Sequence, residues 1–137
     1  MVNMNKDELT FGTYIKQKRL SLNKKMKELA EEVGITAAYL CDLEKGNRNA
    51  PEERLDEFIK ALDIAGTELD VFYDLVGKNR KNNFPDLAEY IGNTEMARTA
   101  LRKARDKNLP DSFWQNIIDG IDDTSWLYEK EGVFNVV

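Results

Sequence analysis

The chain has no histidine and only one cysteine. The first absence removes the usual general base and the commonest metal ligand. The second excludes an intramolecular disulfide, and a lone Cys41 fits a reducing compartment. No apolar run approaches the length of a membrane span, and the opening MVNMNKDELT lacks the apolar centre of a signal peptide. A cytoplasmic protein with no membrane contact is therefore expected. There is no glycine-rich phosphate loop, no metal-ligand cluster and no nucleophile–base pair. The pair Asp122-Asp123 reads as a helix cap or a solvated face, not a catalytic dyad. An enzyme is not expected, and neither a metal nor a cofactor is called for.

What is present is helical periodicity. A first helix is predicted from Phe11 to Leu22, capped by Thr10, with Phe11, Ile15 and Leu22 on one stripe. The stretch LAEEVGITAAYLCDLEKGNR, Leu29 to Arg48, reads as two short helices around a glycine turn. Leu29, Ala30 and Val33 face inward on the first. Gly34 closes it, because glycine tolerates the left-handed backbone of a tight C-cap. Thr36 caps the next, which runs from Ala37 to Lys45 with Leu40 and Leu43 inward, and Gly46 ends it. A fourth helix is predicted from near Pro51, carrying Leu55, Phe58, Ile59 and Leu62. A fifth is predicted from the cap Thr67 to Gly77, carrying Leu69, Phe72, Leu75 and Val76.

Lys78 to Pro85, KNRKNNFP, has the polar make-up of a linker. Asp86 then caps a short helix through Ile91. Thr94 caps a longer one with Met96, Ala100, Leu101 and Ala104 on a stripe. Asn108 and Pro110 interrupt before a broad apolar face of Phe113, Trp114, Ile117, Ile118 and Ile121. A further turn is expected around Trp126 and Leu127. The expected organisation is all-α: a five-helix bundle over residues 9–77 and a small helical region over 86–137.

The segment Phe11 to Val76 resembles the lambda-repressor-like, XRE-type helix-turn-helix domain. The residues that carry the resemblance are Phe11-Gly12, Ile15, Arg19, Glu28-Leu29-Ala30, Val33-Gly34-Ile35, Tyr39-Leu40, Glu44-Lys45-Gly46, Arg48-Asn49, Pro51 and Ala61-Leu62. Met26 stands where many members carry glutamine, so the contact that such a glutamine implies is not carried over. The strings DLAEYIG, ALRKARDKN and FWQNII are similar to a segment that follows this domain in some small regulators of Gram-positive bacteria and mobile elements. In those proteins it implies dimerisation or a contact with a protein partner.

The resemblance implies a sequence-specific regulator of double-stranded DNA whose helix 37–45 enters the major groove. Thr36, Ala37, Ala38, Cys41 and Asp42 then match the base-proximal positions. Thr36 is suited to a base edge or a phosphate, and the alanine methyls to thymine methyls. Asp42 suits a cytosine amino group or, more simply, the orientation of a basic neighbour. Cys41 reads as a small side chain; without a histidine to lower its pKa, a role in sensing oxidants is disfavoured. Tyr39, Lys45, Asn47 and Arg48 fall where backbone phosphates pass. Arg19 and Glu44 are expected to form an ion pair beneath the recognition helix. Charge agrees with this layout. From Lys16 to Arg48 eight basic residues face five acidic ones, a local excess of three positive charges in a chain of net charge −5. An acidic body with a small basic face suits binding to chosen DNA sites.

Leu101, Phe113, Trp114, Ile117, Ile118 and Trp126 are too many large apolar residues for a few isolated helices to bury alone. A homodimer surface or a protein-partner surface is expected there. The leading expectation is a dimeric repressor. The rival is an antitoxin-like interaction protein that neutralises a partner through its C-terminal region and autoregulates its operon.

Overall fold

A computed structural model of the protein describes residues 9–123, and every regular element among them is helical. The elements are α1 Phe11–Ser21, α2 Met26–Val33, α3 Ala37–Glu44, a 3-10 turn Glu52–Arg54, α4 Leu55–Ala61, α5 Glu68–Asn79, α6 Pro85–Asn93, α7 Glu95–Asp106 and α8 Asp111–Asp122. They fall in two compact units divided between Asn93 and Thr94.

Local chemistry starts and stops these helices. The Thr10 hydroxyl accepts from the Thr13 N–H at 3.2 Å, and the Thr13 hydroxyl accepts from the Thr10 N–H at 2.9 Å. This reciprocal cap satisfies two donors that a helix start leaves open. Gly34 ends α2 in the left-handed region at φ 84°, with its N–H bonded to the Ala30 carbonyl. The Thr36 hydroxyl accepts from the Tyr39 N–H at 3.0 Å and so starts α3.

The first unit closes over one core. Phe11 and Ile15 of α1, Leu29 and Val33 of α2, Leu40 and Leu43 of α3, Phe58 of α4, and Phe72 and Val76 of α5 are all buried. The ring of Phe11 lies 6.0 Å from those of both Phe58 and Phe72, the former edge-on. Met26 packs on the rim of this core. Burying such side chains supplies roughly 1.5–3 kcal/mol each. Gly12 sets how close α1 comes to α3: a Cβ there would collide with the Leu43 and Glu44 carbonyl oxygens.

Several sequence expectations are corrected. Leu22 is the C-cap of α1 and is exposed, because the stripe leaves the core one turn earlier. Pro51 does not open α4; it precedes the 3-10 turn, and α4 begins at Leu55. Thr67 and Thr94 stand at N-cap positions but make no capping bond through their side chains. Gly77 does not end α5, which continues to Asn79. The chain turns where Lys81 and Asn82 take positive φ, 56° and 65°, and the Asn82 N–H bonds back to the Gly77 carbonyl. Phe84 then folds onto Gly77, and α6 packs against α5.

In the second unit Ala104 of α7 is buried. Leu101, Trp114, Ile117 and Ile118 are exposed, Phe113 is half-buried, and the rings of Phe113 and Trp114 meet edge-on at 5.0 Å. The expectations for Trp126 and for everything after Asp123 lie outside the described residues.

Candidate nucleic-acid interface

The turn between α2 and α3 is built by Gly34. Its backbone lets two successive N–H groups, of Gly34 and Ile35, bond to the single Ala30 carbonyl at 2.9 and 3.0 Å. With Leu40 and Leu43 buried, the periodicity of α3 puts Thr36, Ala37 and Ala38 at its exposed start. Cys41 and Asp42 follow one turn on and are half-buried. All three residues are exposed and so are open to a partner surface.

The chain leaves α3 through Gly46 at φ 82°, and the Asn47 N–H bonds to the Asp42 carbonyl at 2.9 Å. This carries Lys45, Asn47 and Arg48 past the end of the helix with their side chains exposed. Arg48 returns toward the helix: its guanidinium carbon stands 4.9 Å from the centre of the Tyr39 ring. Its Nε is 3.9 Å from Asp42 Oδ2. A cation over an aromatic face at that distance is attracted by the ring quadrupole. The Asp42 contact is long and about half exposed, so it orients Arg48 without adding much stability. Tyr39, Asp42 and Arg48 therefore form one cluster beside the start of α3.

Beneath α3 lies the pair Arg19 and Glu44, only 7% and 8% exposed. Arg19 Nε donates to Glu44 Oε2 at 2.9 Å and Nη2 to Oε1 at 3.1 Å, while Nη1 donates to the Lys24 carbonyl at 3.0 Å. The fork geometry fixes orientation as well as charge. It ties α1 to the C-terminal end of α3.

Two further members of the basic stretch are occupied within the fold. Lys24 bonds Glu32 and the Ala61 carbonyl, each at 2.6 Å. Lys18 meets Glu68 at 2.6 Å, and the Tyr14 hydroxyl donates to the same carboxylate at 2.7 Å. These two hydrogen bonds hold the Glu68 carboxyl below its usual range, while burial and that carboxylate push the Tyr14 phenol up. The positive charge offered to solvent is consequently less than the sequence count, with Lys16, Lys25, Lys27, Lys45 and Arg48 the exposed members of the stretch.

Sequence reasoning missed three residues beside this surface. The Arg54 guanidinium lies against the Gly34 turn. Asn79 and Arg80, at the end of α5, bond the backbone of Ala50 just beyond Arg48. No local pattern marks them, because each acts across some twenty to thirty residues of sequence.

The family described as Helix-turn-helix matches residues 15–69. That span runs from Ile15 of α1 through α2, α3 and α4 to the first turn of α5, less than half of the chain. Over it the chain carries a domain of the XRE-type helix-turn-helix family, a family of DNA-binding transcription regulators. No curated protein and no solved structure matches the chain. Among the described residues no His, Cys, Asp and Glu group is placed to hold a metal ion, and no helix is long and apolar enough to cross a membrane.

Proposed function

We propose that the protein is a dimeric repressor that sets the N-terminal half of α3 into the major groove of double-stranded DNA. Thr36, Ala37, Ala38, Cys41 and Asp42 are then base-proximal, and Tyr39, Lys45, Asn47 and Arg48 follow the phosphates. The observation that carries this reading is the exposed start of α3 flanked by the Tyr39–Arg48 stack. Asp42 acts first on Arg48 in the free protein and is released to a base amino group on binding. Arg19 and Glu44 serve as the support of α3 and do not touch DNA.

Dimerisation is assigned to the second unit. Leu101, Trp114, Ile117 and Ile118 leave an apolar surface uncovered within one copy. The two helices also differ in charge. α7 carries Arg98, Arg102, Lys103 and Arg105 against Glu95 and Asp106, whereas α8 carries Asp111, Asp119 and Asp122 and no base. A two-fold contact that sets α7 of one copy against α8 of the other pairs opposite charges around an apolar centre.

The test is titration of DNA selected from a random pool, at several salt concentrations. Lys45→Ala with Arg48→Ala is expected to weaken binding to all sequences and to lower the log–log salt slope by about 0.9 for each lost phosphate contact. Thr36→Ala is expected to change base preference instead. An unaltered slope in the double variant would remove Lys45 and Arg48 from the interface.

A further inference from the structure

The backbone of Ala50 is gripped by two consecutive side chains from the far end of α5. Its N–H donates to Asn79 Oδ1 at 2.5 Å, and its carbonyl accepts from Arg80 Nη1 at 2.6 Å. The other Arg80 arm, Nη2, reaches Glu52 Oε2 at 3.4 Å. Arg80 Nε is buried without a hydrogen-bond partner. Both Nη arms of this guanidinium are thus engaged within the fold. Ala50 itself is fully buried. It ends the five-residue loop that begins at Gly46 and holds Asn47 and Arg48. That loop lies outside any helix: its start is tied back to α3 by the Gly46 N–H on the Leu43 carbonyl and the Asn47 N–H on the Asp42 carbonyl, and its far end is tied through Ala50 to Asn79 and Arg80. Tyr39, Asn47, Arg48, Glu52 and Arg80 line one shallow concavity at this place.

We propose that Asn79 and Arg80 are positioning residues for DNA binding: they clamp the loop after α3 so that Arg48 is presented to a DNA phosphate. The proposal rests on the DNA interface argued above and extends it to a pair of residues beyond the matched helix-turn-helix segment. Its physical basis is preorganisation. A basic side chain on a slack loop must lose backbone and rotamer freedom when it meets a phosphate, whereas a clamped loop has lost most of it on folding. The same clamp joins the DNA-facing loop to the segment that leads into α6, so whatever loosens the end of α5 loosens the phosphate contact.

The experiment measures DNA affinity against salt for the full chain, Asn79→Ala and Arg80→Lys, each with and without Arg48→Ala. Neither single change alters net charge, so a lower salt slope reports lost positioning and not lost charge. The expected result is a slope smaller by about 0.9 in Asn79→Ala, which makes the fall in affinity between 50 and 200 mM salt about 3.5-fold shallower. Arg48→Ala is expected to cost less affinity in the Asn79→Ala background than in the native chain. Arg80→Lys, which keeps one donor for the Ala50 carbonyl, is expected to move the slope in the same direction by less, and it carries the test if Asn79→Ala does not fold. Weaker binding at the native slope, or an Arg48→Ala effect that is the same in all backgrounds, overturns the clamp. A native chain that binds DNA with no salt dependence instead overturns the interface itself.

Discussion

The ring of Phe84 occupies the space into which a side chain at position 77 would project. Gly77 is thus a contact and not a stop, and it is how the segment after α5 is held to the first unit. Alanine in place of Gly77 raises helix propensity by about 1 kcal/mol. It also evicts Phe84, an overpacking that typically costs about 1–3 kcal/mol. Because the two effects oppose, the global melting temperature of Gly77→Ala is expected to change little. The amides of residues 85–93 are expected to exchange hydrogen faster, and Phe84→Ala is expected to match that pattern. Native protection across α6 in Gly77→Ala would show that Phe84 does not anchor it.

Arg19→Ala leaves the Glu44 carboxylate buried without its partner and the Lys24 carbonyl without its donor. Breaking one side of a buried pair typically costs about 3–5 kcal/mol. The melting temperature in the absence of DNA is expected to fall, by roughly 4–8 °C for each kcal/mol in a domain of this size. Arg19→Lys is expected to recover only part of the loss, since an ammonium cannot bond both carboxylate oxygens and the Lys24 carbonyl in one plane. Stability unchanged in Arg19→Ala together with lost DNA binding would make Arg19 a phosphate contact.

The two helices of the turn motif are legible in the sequence because their signals are local and redundant. Gly34 and Thr36 both mark the turn, and the inward periodicity from Leu29 to Leu43 agrees with them. The exposed faces follow from that periodicity, which is why Thr36, Ala37 and Ala38 can be named as outward without coordinates. Where the chain uses distant partners, pattern reading fails. Gly77 looks like a helix stop until Phe84 is seen on it. The stretch 78–85 looks like a bare linker, yet Asn79 and Arg80 bond the loop near residue 50. Lys18 and Lys24 look like members of a solvated basic face, yet both are spent on carboxylates within the fold.

Two carboxyls are expected to tilt the pH dependence of stability in opposite directions. Glu68 is held low by its hydrogen bonds from Lys18 and Tyr14. Between its folded and unfolded values the unfolded chain binds more protons, so stability rises with pH there. The contribution is present above the unfolded value of about 4.3 and is lost as pH falls through the folded one. Asp86 is raised by burial first, and then by Asp74 and Asp70. Its folded form binds more protons, so stability falls as pH rises from the unfolded value of about 3.9 through the folded one. Melting temperature against pH is therefore expected to show a shallower acid limb for Glu68→Gln. Asp86→Asn is expected to be more stable than the native chain at neutral pH, a gain that vanishes below about pH 3.9. A gain that persisted under acid would mean that Asp86 acts through its shape and not its charge.

A chain ending at Asn93 separates the two proposed roles. It retains α1 through α6, and with them the Phe84 contact and the grip of Asn79 and Arg80 on Ala50. It removes α7 and α8 with the apolar surface of Leu101, Trp114, Ile117 and Ile118. One helix-turn-helix has a small footprint, and pairing two of them on half-sites ~34–36 Å apart is how such modules gain affinity and read a two-fold operator. Tethering makes the second half-site encounter intramolecular, an advantage that a monomer does not have. Sedimentation is therefore expected to give a dimer for the full chain at micromolar concentration and a monomer for the shortened one. The shortened chain is expected to bind a single half-site as the full chain does, and to bind the two-fold site with no gain over the half-site. Reversing the charge of α8 with Asp119→Lys should weaken the dimer while leaving half-site binding alone, because Asp119 belongs to the second unit and not to the DNA-binding one. If the full chain sediments as a monomer both free and on DNA, the second-copy assignment fails, and the α7–α8 surface belongs to a different protein, as in the antitoxin-like reading.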